Sequence, residues 1–82
     1  MIHIGQLIED ELHRQERTVT WFARRLYCDR TNAYSIFKRR SIDTELLLRI
    51  SNILNHNFFS YYQTELKSEY KHDINEVSTL KE

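Results

Sequence analysis

The feature that most limits how this chain can fold is its lack of punctuation: 82 residues contain no proline and a single glycine, Gly5. Sheets and long loops depend on residues that tolerate positive φ or fix φ near −65°. Helices joined by short connections need far fewer. Hydrophobic periodicity points the same way. Apolar residues recur at three- and four-residue spacing in five windows. The first holds Ile4, Leu7, Ile8 and Leu12, and the second Val19, Phe22, Ala23 and Leu26. The third holds Ala33, Ile36 and Phe37, and the fourth Leu46, Leu47, Ile50, Ile53 and Leu54. The fifth holds Phe58, Phe59, Tyr62 and Leu66. No window sustains period-two alternation, so no strand is expected. The length suits one all-α domain with a modest core. Its expected members are Leu7, Ile8, Phe22, Ala23, Leu26, Ala33, Ile36, Leu47, Ile50 and Leu54.

Short polar residues stand where helix termini need them. Thr18, Asp29, Asp43 and Asn57 each precede a window, and each can accept a hydrogen bond from an unpaired amide in the first turn. Ile42 and Leu47 flank Asp43 at the positions of a hydrophobic staple. Asn55 follows Leu54 where a left-handed residue would close the fourth helix. The connections are therefore short, and consecutive helices must pack as neighbours. Residues 70–82 are mostly polar and read as a tail or a short extra helix carrying Ile74, Val77 and Leu80, after a domain spanning residues 1–69.

Net charge is zero, but the charge is not evenly spread. Residues 1–13 carry Glu9, Asp10 and Glu11 and no Lys or Arg, a net of −3. Residues 14–40 carry eight basic groups against Glu16 and Asp29, a net of +6, and residues 41–82 a net of −3. A basic segment of this strength suits an anionic partner, because local field governs such a surface more than total charge does.

The second and third windows lie inside this basic segment. About three residues, Tyr27-Cys28-Asp29, join them. That is the turn length of a helix-turn-helix, here spanning roughly residues 18–40. In such a pair the first helix braces the second, whose opening residues reach base edges in the major groove. The third helix divides accordingly. Ala33, Ile36, Phe37 and Arg40 fall on one stripe, while Arg30, Thr31, Tyr34, Ser35 and Lys38 fall on the other with Asn32 at its edge. Arg30 can grip guanine N7 and O6, Asn32 can pair with adenine, and Thr31, Tyr34 and Ser35 can bond bases or phosphates. Lys38, Arg39 and Arg40 stand at the far end, suited to a phosphate strand.

The stretch TVTWFARRLYCDRTNAYSIFKRRSIDTELLLRISNILNHNFF resembles the helix-turn-helix of lambda-repressor/Cro-type (XRE-like) bacterial regulators. Matching positions are the small Ala23, the apolar Leu26, Cys28 in the turn, the cap Asp29, and the inward pair Ala33 and Ile36. Leu46, Leu47, Ile50, Leu54 and Asn55 match the helix that follows. The resemblance implies a five-helix lambda-repressor-like DNA-binding domain that acts as a small cytoplasmic transcriptional regulator, and it places Thr18 and Thr20 near phosphates. The chain departs from the pattern at Tyr27, where the family has Gly. A left-handed Tyr costs about 1–2 kcal/mol, so a turn of different shape is expected. It departs again at Thr20 and Trp21, where the family usually has a Glu, and at Val19, where it commonly has a polar phosphate-contacting residue.

Other chemistry has little footing. A lone cysteine, Cys28, cannot form an internal disulfide and reads as a small buried hydrophobe. His3, His13, His56 and His72 show no ligand spacing and are expected at the surface, so no metal or cofactor is expected. Glu9, Asp10 and Glu11 read as an acidic helix face rather than a catalytic pair, and an enzyme is not expected. No apolar run reaches a membrane span, and the N-terminus does not read as a signal peptide. Trp21 reads as an aromatic at the edge of the core. The aromatic set Phe58, Phe59, Tyr61 and Tyr62 offers a second surface for a homodimer, at least on DNA, or for a protein partner through residues 58–82. The alternative function is an antitoxin-like or adaptor interaction module on the same fold.

Overall fold

A computed structural model describes residues 1–66. They form five helices: α1 (Ile4–Arg14), α2 (Val19–Leu26), α3 (Arg30–Phe37), α4 (Thr44–Leu54) and α5 (Phe59–Glu65), with no strand among the described residues. The fold is all-α, as the periodicity requires, and each window supplies one helix. Residues 70–82, with Ile74, Val77 and Leu80, lie outside the described residues, as does His72.

The starts of the helices follow from the caps. The side chains of Thr18, Asp29 and Asp43 accept from the amides of Trp21 (3.0 Å), Asn32 (2.8 Å) and Leu46 (2.8 Å). Asn57 Oδ1 accepts from Phe59 N at 3.0 Å, one position further upstream than a standard N-cap. α1 has a cap the sequence reading missed: His3 Nδ1 accepts from Gln6 N. The ends of the helices are less ordinary. Glu16, Tyr27 and Asn55 all adopt left-handed backbone with φ of 57°, 58° and 51°. Each closes its helix with the same pair of bonds. The following amide reaches back five residues, as Cys28 N does to the Ala23 carbonyl at 3.0 Å, and the left-handed residue's amide reaches back three. This double closure normally employs glycine. A chain with one glycine must use other residues, and only Asn55 was readable in advance because Asn tolerates the conformation.

The single glycine is used elsewhere. α1 meets the C-terminal end of α3 backbone to backbone. Ile4 N donates to the Arg40 carbonyl at 3.2 Å and Gly5 N to the Arg39 carbonyl at 2.9 Å. A Cβ on Gly5 would stand 2.5 Å from the Phe37 carbonyl oxygen and 2.6 Å from that of Arg39. Only glycine permits this approach, which hooks α1 to α3 and satisfies two amides of α1's first turn.

The core is Ile4, Ile8, Leu12, Phe22, Ala23, Leu26, Ala33, Ile36, Phe37, Leu47, Ile50, Leu54 and Phe58. Nine of the ten expected members are in it, and Leu7 is only half-buried at its edge. Phe22 and Phe37 stack with centroids 5.7 Å apart, tying α2 to α3. Ala23 is the small residue at this junction. Phe58 corrects the second-surface expectation: it is fully buried, and Phe59 and Tyr61 pack half-buried against the core. So small a core consumes most of those aromatics, leaving Tyr62 as the exposed one.

Candidate nucleic-acid interface

The candidate interface lies on the α2–α3 pair. Tyr27, Cys28 and Asp29 make the connection, and Asp29 then caps α3. Tyr27 takes the left-handed conformation despite its cost, so the turn keeps the tight shape that the departure from glycine called into question. Arg49 of α4 holds this turn from behind, donating from Nη2 to the Leu26 carbonyl at 3.2 Å. A cation at the end of α2 satisfies a terminal carbonyl and complements the helix dipole. Cys28 is half-buried rather than buried. Burial, then the Asp29 charge, pushes its thiol pKa up, with Arg49 opposing.

α3 presents two faces. Ala33, Ile36 and Phe37 are buried. Arg30, Thr31, Asn32, Tyr34, Ser35 and Lys38 are all exposed. No side-chain hydrogen bond or ion pair within the described residues engages the polar groups of these six. Tyr34 leans edge-on against Phe37 at 6.0 Å, which steadies its ring while leaving it 45% exposed. The anticipated base-contacting residues thus share one open surface.

The anticipated phosphate set is less uniform. Thr20 is exposed on the first turn of α2. Thr18 is exposed, but its Oγ1 already accepts the cap bond. Lys38 ends α3, and Arg39 and Arg40 lie beyond it rather than on its stripe. Their carbonyls receive the α1 amides, so the segment is anchored by backbone while its side chains stay exposed. The Arg40 guanidinium lies against the Met1 thioether. Val19, which departs from the polar pattern, packs at the edge of the core.

The basic segment is partitioned as well. Arg17 and Arg25 both lie over the half-buried Trp21 ring, 4.5 and 5.3 Å from its centroid. Arg14 is neutralised by Glu11. Arg24, Arg30, Lys38 and Arg39 have no such partner among the described residues. One neighbourhood was invisible in the sequence. A depression of about 320 Å³ beside α3 is lined by His3, Gln6, Glu9, Tyr34, Phe37 and Lys38. It brings α1 alongside the open face through the tertiary packing of α1 on α3, of which the Gly5 hook is part.

Known proteins give no further guide. The chain matches no family model, no curated protein and no solved structure.

A second polar cluster lies away from this face. Glu11, read beforehand as part of an acidic helix surface, is only 5% exposed. Arg14 Nε donates to its Oε1 at 2.9 Å and Gln15 Nε2 to its Oε2 at 2.7 Å. His56 Nδ1 stands 3.7 Å from Oε1. Gln15 Nε2 also donates to the Leu54 carbonyl at 2.7 Å, and His56 Nε2 pairs with the Tyr61 hydroxyl at 2.9 Å. The Arg14 hydrogen bond, opposed by burial and aided by Gln15 and the neighbouring charges, holds the Glu11 carboxyl at about 2. The same bond raises the Arg14 pKa. His56 and His3 are therefore half-buried structural groups, contrary to the surface expectation, and of the described histidines only His13 is exposed. Among the described residues no three His, Cys, Asp or Glu side chains gather as a metal site, and no helix is long and apolar enough to cross a membrane.

Proposed function

We propose that this chain binds double-stranded DNA sequence-specifically, with α3 as the recognition helix, and acts as a small cytoplasmic transcriptional regulator. The observation that carries the reading is the outer face of α3. Six exposed residues with varied hydrogen-bonding groups lie there, unpaired among the described residues, directly behind a tight three-residue turn. In a stable fold, polar side chains are either satisfied internally or left to water and ligands. This set includes a guanidinium, an amide and hydroxyls, the groups that read base edges. The resemblance to lambda-repressor/Cro-type regulators agrees with it.

Arg30 then reads guanine, Asn32 pairs with adenine or a phosphate, and Thr31, Tyr34 and Ser35 supply further base contacts. Lys38, Arg39 and Thr20 meet phosphates. Thr18 keeps its hydroxyl hydrogen for one more, and the exposed Arg40 supplies a further cation at the Lys38 end of α3. One short helix reads too few base pairs to select a site among a genome's competitors. A homodimer on DNA, with recognition helices about 34–36 Å apart, answers that shortage. The dimer rests on this information argument alone, since Phe58, Phe59 and Tyr61 are taken up by the core.

Selection of duplexes from a random pool with purified protein tests the reading. It predicts enrichment of one sequence with inverted half-sites. Absence of any enriched sequence overturns it.

A further inference from the structure

Tyr27 is the most exposed aromatic side chain among the described residues, at 91%, and its backbone is left-handed. Both facts oppose stability. The ring buries almost nothing, and a bulky residue in this conformation is a genuine outlier. Strain of this sort persists where the surroundings enforce it, and it concentrates at functional positions. Glu16 adopts the same conformation in the same closure, so left-handedness alone marks nothing. Tyr27 differs in carrying a rigid amphipathic ring and in its setting. Arg24 and Arg25 precede it and Arg30 follows, with Asp29 the one acid nearby. Tyr27 is three residues from Arg30, so their Cα atoms are at most about 10 Å apart. Whatever Arg30 grips, the Tyr27 ring can reach its border.

We propose that Tyr27 is a DNA-contacting residue, its ring against a deoxyribose and its hydroxyl donating to a phosphate oxygen at the edge of the groove that α3 occupies. The inference rests on the DNA-binding reading and adds a contact from the turn itself. The cationic surroundings favour an anionic backbone over a protein surface. The same surroundings assign the contact to affinity rather than to sequence choice, because phosphate contacts carry no base information.

The test compares Tyr27→Gly, Tyr27→Phe and Glu16→Gly, each measured by thermal melting and by affinity for the duplex selected with the unaltered chain. Both glycine variants relieve left-handed strain and should raise Tm by roughly 4–8 °C. Only Tyr27→Gly should lose DNA affinity, by about tenfold, and equally on the selected and on unrelated duplexes. Tyr27→Phe keeps the ring, loses the hydroxyl and should fall between. Unchanged affinity in Tyr27→Gly overturns the inference while leaving α3 as the reader, and directs attention to a protein partner at the turn. An equal loss in Glu16→Gly also overturns it, since the effect would then belong to helix closure. Failure of the unaltered chain to bind any duplex overturns the underlying reading and the inference with it.

Discussion

The cluster around Glu11 and the outer face of α3 are made of similar side chains put to opposite use. At the first, a carboxylate is taken out of water and surrounded by Arg14, Gln15 and His56, so that its charge is met from three sides. Gln15 and His56 pass the connection on to the end of α4 and to Tyr61 of α5. Nothing there is left over for a ligand. At the second, six polar or amphipathic residues stand in water with their hydrogen-bonding groups unused among the described residues. Polar groups that are satisfied internally stabilise and specify a fold, whereas groups left unsatisfied at the surface cost nothing until something binds. The difference separates the part of the molecule that holds it together from the part available to a partner.

Substitutions should obey that division. The largest effect belongs to Gly5, the hook between α1 and α3. Gly5→Ala drives a methyl into three backbone carbonyls that cannot move singly. It should cost about 3 kcal/mol in urea or thermal unfolding, at the upper end of overpacking penalties. Because the same contact fixes the pose of α3, DNA affinity should fall with stability.

Glu11→Ala comes next and should affect only the closed cluster. Removing a buried carboxylate that accepts charge-assisted bonds costs roughly 1.5–3 kcal/mol. Below the melting range, affinity for DNA should be unchanged. The pH dependence carries the same signature. The carboxyl sits at about 2 in the fold against an ordinary 4.5, so its contribution is complete above about pH 4.5 and is lost as pH falls towards 2. Unfolding free energy of the unaltered chain should decline through that window, and that of Glu11→Ala should decline less.

Arg30→Ala should show the converse. Melting should move by no more than a surface substitution does, within about 0.5 kcal/mol. Affinity should drop by about 1–3 kcal/mol, with preference relaxed at one base pair. Lys38→Ala should have the smallest effect, a modest loss shared by all sequences. It should flatten the dependence of log affinity on log salt by about one unit.

The open face was legible in the sequence, and the closed cluster was not. Arg30 to Lys38 is one short helix, so 3.6-residue periodicity and the Asp29 cap sort its residues into inner and outer without any tertiary knowledge. Nine of ten expected core residues followed from the same periodicity. Glu11 could not be sorted that way. It lies beside Asp10 in a chemically uniform acidic run, and its burial depends on Gln15, His56 and Tyr61, the last two 45 and 50 residues along the chain. Phe58 was misplaced for a related reason: local pattern does not say how much aromatic volume the core will absorb. Tyr27 and Glu16 were hidden because propensity argues against left-handed backbone at either, and tertiary closure of the helix ends overrode it.

The most direct test of the division is amide chemical-shift mapping of the labelled protein against a selected duplex. Saturating DNA should perturb residues 18–20 and 30–39 strongly and leave the amides of Glu11, Gln15, His56 and Tyr61 near their free positions. Perturbations centred on Glu11 and His56, with Arg30 to Lys38 silent, would contradict the account.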